Sequence, residues 1–237
     1  MIWQELIAPR KWAVFLDLDI WRFLWTGLQV TLAMAAIAGA ASLVLGLILA
    51  LMRLSRVALL RYPAAAYVET IRALPVLVLI FFTFFAAARA GLGLDAFGAG
   101  TLALALYTGA VNAEIMRAGI LSIERGQVEA ARSLGLTYAQ TMRFIVLPQA
   151  LRRMVPPQVS QLITLIKDTS LAAVIGVGEL TWRARILYQS PEFSPPHTLF
   201  ITACVYFVVN YSLSRLSRRW EVATGAAGPA AGAAQDH

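Results

Sequence analysis

The chain has 237 residues, of which 59% are hydrophobic and 14% charged, with a mean hydropathy of +0.69 and a net charge of +7. That composition excludes a soluble globular domain, and several apolar runs are long enough to cross a bilayer core of about 30 Å. A single cysteine, Cys204, and two histidines, His197 and His237, exclude a disulfide framework and a metal cluster.

Five membrane spans are expected, at residues 23–52, 63–88, 99–121, 155–177 and 197–213, which makes the chain an all-α integral membrane protein. Residues 1–22 read as an external segment, 23–221 as the transmembrane domain with a polar loop at 122–154, and 222–237, rich in Ala and Gly, as a disordered tail. The first span is too long for a signal-peptide core and follows residues of mixed charge (Asp17, Asp19, Arg22), so an uncleaved helix is expected. In the second, Glu69 and Arg72 share a helical face. Arg72 lies about 14 Å along the helix from Pro63, and Pro75 weakens the helix beside it. Glu114 and Arg117 repeat the spacing in the third span.

Residues 129–148 (EAARSLGLTYAQTMRFIVLP) interrupt this apolar pattern with a basic, polar island. Gly135 suits a left-handed helix end followed by the apolar Leu136, and Thr137 with Gln140 forms a capping box for a second helix. Met142, Ile145 and Val146 recur at helical spacing, and Pro148 marks an end or kink. In the fourth span Lys167 lies about 16 Å from Pro156, near the bilayer midplane, where an ionised side chain costs at least about 2.5 kcal/mol unless paired or wetted. Asp168 adjoins it, while Thr169 and Ser170 offer hydroxyls either to a solute or to their own helix carbonyls. Residues 179–196 read as an external, polar, proline-bounded segment. Trp12, Trp21, Trp25, Trp182, Tyr188 and Trp220 sit near span ends as interfacial anchors.

Eleven basic residues fall in the loops on one side (Arg53, Arg56 and Arg61; Arg125 through Arg153; Arg215, Arg218 and Arg219) against six on the other. The excess of Lys and Arg places the 122–154 loop and the C-terminus in the cytoplasm and the N-terminus outside. The net charge therefore reflects topology rather than nucleic-acid binding.

The island resembles the cytoplasmic loop of permease subunits of bacterial ABC importers, with Glu129, Ala130, Ala131, Gly135, Ile145, Leu147 and Pro148 filling its signature positions. The stretch from Asn112 to Ile120 (NAEIMRAGI) with Gly126-Gln127, the segment ETIRALP from Glu69, and KDTSL from Lys167 resemble motifs of the polar amino acid uptake branch. Ala73-Leu74 and Ala118 depart from that pattern. The resemblance implies a coupling helix in the loop, seated on an ABC ATPase dimer that binds the ATP and Mg. It implies a second permease subunit, identical or paralogous, a periplasmic or extracellular solute-binding protein, for which residues 179–196 are a candidate surface, and a multi-pass location in the bacterial inner membrane. Its cargo would be an amino acid of the glutamate, glutamine, histidine or arginine class. The chain would bind no cofactor and would not itself be an enzyme.

No GxxxxGK[ST] loop surrounds either lysine, so a nucleotide site has to come from another chain. Other readings stay open. The loop alternatively lies on the inner leaflet, its arginines on headgroups. The Glu69/Arg72 and Glu114/Arg117 pairs alternatively neutralise themselves between helices, whereas the depth of Arg72, Lys167 and Asp168 points to a substrate path, with Thr169, Ser170, Glu69 and Glu114 as further candidates. A self-contained secondary transporter or channel is the competing function; an intramembrane hydrolase would need a nucleophile and base that the two histidines do not supply.

Overall fold

A computed structural model describes residues 9–224, and among these every regular element is a helix. A short α1 (Pro9–Ala13) and a 3-10 turn (Val14–Leu16) lead into α2 (Leu18–Leu54). Asp17 caps α2 by accepting the Asp19 N–H at 2.9 Å. The helix therefore starts inside the segment expected to be a separate external piece, five residues ahead of the expected boundary. It is also the longest element, at 37 residues.

The second span is not one helix. α3 (Ala58–Ala73) and α4 (Val76–Arg89) meet at 109°, because Pro75 forces Leu74 into an extended conformation (φ −85°, ψ 143°). Arg72 consequently occupies the last turn of α3, at the bend, rather than the middle of a continuous helix.

Helix α5 (Ala96–Leu121) starts at Asp95, whose carboxylate accepts the Gly98 N–H at 2.7 Å. The polar island then folds as α6 (Arg125–Ser133) and α7 (Tyr138–Thr141), followed by a π turn (Met142–Val146) and α8 (Leu147–Asp168). Helix α8 runs through Pro156 and Pro157 and begins eight residues before the expected fourth span. Lys167 thus lies about 30 Å from its start instead of 16 Å. A 3-10 segment (Thr169–Ile175) ends at Gly176 (φ 87°), and α9 (Leu180–Gln189) occupies what was read as an external loop. Helix α10 (Pro195–Thr224) is far longer than the 17 residues expected, and it extends into the first residues of the expected tail; residues 225–237 lie outside the described residues.

Among the described residues three helices, α2, α5 and α10, are individually long and apolar enough to span a membrane. Counting the two bent pairs, α3 with α4 and residues 138–175 with α9, brings the total to five. The main core packs Met34 and Ala38 of α2, Ile80 of α4, Leu104 of α5, Leu165 of α8 and Ala172. Lipid provides no hydrophobic drive between helices, so close packing through small residues holds α2 against α5. A Cβ on Gly46 would stand 2.7 Å from Asn112 Cβ and 3.1 Å from the Ala113 backbone nitrogen. Backbone cannot yield as a flexible side chain does. Gly46→Val is therefore expected to cost about 1–3 kcal/mol and to lower the melting temperature of the detergent-solubilised protein; an unchanged melting curve would show that α2 and α5 have room to separate.

Candidate functional site

The polar island is built as its residues dictate. The Thr137 N–H donates to Gln140 Oε1 at 2.8 Å, and the Gln140 N–H donates to Thr137 Oγ1 at 3.3 Å, completing the capping box. Gly135 (φ 85°) ends α6: its N–H donates to the Arg132 carbonyl and that of Leu136 to the Ala131 carbonyl, a Schellman closure. Pro148 has no N–H, and its ring would meet the carbonyl four residues back in a regular helix. The π turn answers this, with the Leu147 N–H bonding to the Met142 carbonyl five residues back. The expected kink is thus a widened turn, and helix continues through it.

A small core of Ile123, Val146, Ala150 and Met154 seats this loop on the ends of α5 and α8. Arg153 adds a 2.6 Å hydrogen bond to the Ser122 carbonyl. Outward, Glu129 and Ala130 are exposed beside Leu134 (81% exposed) and Tyr138 (64%). Ala131 is buried, so only one of the two adjacent alanines belongs to the outer surface; Gly135, Leu147 and Pro148 are exposed and Ile145 half-buried.

The charged pairs rearrange. Glu114 bonds both Arg117 and Arg53, the latter at 2.6 Å, and Arg53 also lies 3.6 Å from Glu69. Glu69 therefore pairs with Arg53, not with Arg72, which is exposed and forms no salt bridge among the described residues. The cluster ties α2, α3 and α5 together; the self-neutralising alternative fits Glu114 with Arg117 and not Glu69 with Arg72. Sequence spacing missed Arg53 because it is distant in the chain.

Lys167 is exposed, Asp168 half-buried, and the two make no salt bridge. Thr169 is fully buried and returns its hydroxyl to the Ile166 carbonyl at 2.7 Å, whereas Ser170 joins Lys167, Thr181, Thr202 and Tyr206 around an open groove of about 390 Å³. Behind the groove lies Glu179, which sequence reasoning placed at the edge of an external loop. It is completely buried. Its carboxylate accepts the Trp182 N–H (2.6 Å), the Thr181 N–H (2.9 Å), the Tyr206 hydroxyl (3.0 Å) and the Thr31 hydroxyl (3.4 Å), joining α2, α9 and α10. The legible signal was its place before an apolar helical run, where a carboxylate caps.

A second cavity, about 410 Å³, opens between α2, α5 and α8. Ser42, Thr108, Asn112, Gln158 and Gln161 supply its polar lining, and none of its lining residues is charged. None of these five was a candidate from sequence, where uncharged polar residues within apolar runs drew less attention than the ionised ones.

Residues 42–221 match the model of the family described as binding-protein-dependent transport system inner membrane component. A probable glutamine ABC transporter permease protein of Bacillus subtilis (strain 168) is 51% identical over 202 residues, covering 84% of this chain and 93% of that protein. A glutamate transport system permease protein of Corynebacterium glutamicum is 37% identical over 219 residues, covering 91% and 80%. Among solved structures, an amino acid ABC transporter crystallised with histidines superposes with a TM-score of 0.81 at 34% identity, covering 86% of this chain and 95% of that one. The inward-facing methionine ABC transporter, at 24% identity and a TM-score of 0.67, shares the fold.

Proposed function

The chain belongs to the binding-protein-dependent transport system inner membrane components and is a transmembrane permease subunit of an ABC importer; on that premise we propose that it carries a polar amino acid delivered by a solute-binding protein across the bacterial inner membrane. The glutamine and glutamate permeases among its relatives support an amino acid as cargo. A permease is not itself the ATPase, and ATP with Mg would sit in a partner ATPase dimer docked on the loop around Glu129. A second permease, identical or paralogous, completes the path. The basic-residue asymmetry supports a cytoplasmic loop and an external N-terminus.

One observation carries the mechanism: the loop's second helix continues through the π turn into α8, which bears Lys167 and lines the 410 Å³ cavity. Force applied at Glu129, Ala130, Leu134 and Gly135 reaches α8 through the Gly135–Thr137 turn and then Val146, Leu147 and Pro148. The packed core of Ile123, Ala150 and Met154 makes the loop move with α8. Lys167 and Ser170 then line a groove where a zwitterion's carboxylate can be met, with Asp168 half-buried beside them in the chain, while Arg72 lies exposed at the α3–α4 break. Glu114 and Glu69, through Arg53, hold α2, α3 and α5 together, and Thr169 returns its hydroxyl to the Ile166 carbonyl.

Reconstitution tests the reading. Proteoliposomes containing this chain with its ATPase and binding protein are expected to accumulate an amino acid only with ATP inside the vesicle-equivalent cytoplasmic face. Uptake by the chain alone would identify a self-contained carrier and overturn the proposal.

A further inference from the structure

Helix α10 is the least covered of the three long spans: 11% of its most apolar stretch is buried, against 33% in α2 and 61% in α5. Its inner face packs on the body through Tyr206, Val209 and Leu213. The opposite face carries exposed Phe207, Val208 and Tyr211 at helical spacing and continues into exposed Arg215, Arg218 and Arg219. Arg215 lies about 30 Å along the helix from Pro195, the thickness of a bilayer core, so an apolar stripe in the acyl region runs into arginines at headgroup level.

These arginines have no carboxylate to meet. None of the three forms a salt bridge among the described residues. Glu221 is the one acidic residue in the sequence of α10, so an excess of two positive charges remains even after it is counted against them. The contacts they do make are neutral: Arg215 Nη1 donates to the Tyr211 hydroxyl and Arg218 Nη2 to Ser214 Oγ, each at 3.4 Å. A guanidinium has five N–H donors, so most remain free. Tyr211 is stacked on Phe207, with ring centres 5.3 Å apart and planes 15° from parallel, which fixes it beside the arginines. Because its oxygen accepts from Arg215, its own hydrogen is left to donate outward.

We propose that this end of α10 is a binding site for an acidic phospholipid. The phosphate oxygens accept from Arg215, Arg218, Arg219 and the Tyr211 hydroxyl, and an acyl chain lies along Phe207 and Val208. Charge selects the occupant: a zwitterionic lipid brings its own cation to a face already cationic, whereas an acidic lipid brings none. A second copy packed through the same stripe in the same orientation would set arginines against arginines. The site is independent of which solute the permease carries, and it makes the composition of the inner leaflet a property to which α10 responds.

A bimane fluorophore on Val208→Cys in a Cys204→Ser background reads the site, since a brominated acyl chain quenches a fluorophore that it touches. The complete permease–ATPase complex in phosphatidylcholine nanodiscs is expected to be quenched by dibrominated phosphatidylglycerol with an association constant at least about threefold above that of dibrominated phosphatidylcholine. Arg215→Gln/Arg218→Gln/Arg219→Gln should bring the two lipids to near equality, and Arg215→Gln alone supplies the comparison if the triple variant does not assemble. Arg56→Gln/Arg61→Gln, which removes two other exposed arginines from the start of α3, should leave the preference intact. Equal quenching by both lipids in the unsubstituted arginine background, or a preference lost equally in the α3 variant, would overturn the site in favour of diffuse attraction. A bimane insensitive to both brominated lipids would show that protein covers this face, and would overturn it too.

Discussion

Glu129→Lys is expected to abolish ATP-driven uptake, by at least about tenfold, while leaving the subunit folded and inserted. Glu129 is exposed and its carboxylate forms no ion pair among the described residues, so reversing its charge costs the isolated chain within about 0.5 kcal/mol. The resemblance to ABC permeases implies a basic residue of the ATPase opposite Glu129, so at a desolvated docking surface the same reversal places like charges together and costs several kcal/mol. Gly135→Pro reaches the same end differently. It removes the N–H that donates to Arg132 and forbids the φ of 85°, unwinding the end of α6 without touching Glu129. Uptake assays paired with co-purification of the ATPase separate the two: Glu129→Lys should lose the ATPase, and both should lose transport. Normal uptake in either variant would show that the loop transmits no force.

Glu179→Ala is expected to be the most damaging single change to the fold. It deprives two N–H groups at the start of α9 of their cap and leaves the Tyr206 and Thr31 hydroxyls short of an acceptor in a site with no exposure. Losing the cap costs about 0.5–2 kcal/mol, and each buried group left unpaired about 1–3 kcal/mol. Set against a total stability of about 5–15 kcal/mol, this should remove most of the monodisperse protein recovered in detergent. Glu179→Gln keeps a carbonyl acceptor and should recover a substantial part of the yield. If Glu179→Ala purifies with an unaltered melting temperature, water rather than the carboxylate holds α2, α9 and α10 together.

What could be read from the chain differs from region to region for physical reasons. The capping box at Thr137 and Gln140 and the left-handed Gly135 were legible because each is closed by residues within five positions of one another. The charged cluster was not. Glu69 has the right spacing for Arg72, yet the break at Leu74-Pro75 and the packing of α2 bring Arg53 to it instead. Thr169 offered its hydroxyl to a solute or to its own helix, and its full burial with a bond to the Ile166 carbonyl selects the second. Glu179 looked external because a polar, proline-bounded stretch resembles a loop, whereas the Leu180 and Ala184 face of α9 is buried.

Membrane location, the pair of capped helices in the polar island and the family are all readable in the residues alone, because hydropathy, capping and motif spacing are local properties. Which charges neutralise each other, the 109° break in the second span, and the gathering of Ser42, Thr108, Asn112, Gln158 and Gln161 around one cavity emerge from helix packing. Those facts depend on the crossing of α2, α5 and α8. A crossing is set by how small residues such as Gly39 and Gly46 let backbones approach, which no single segment encodes.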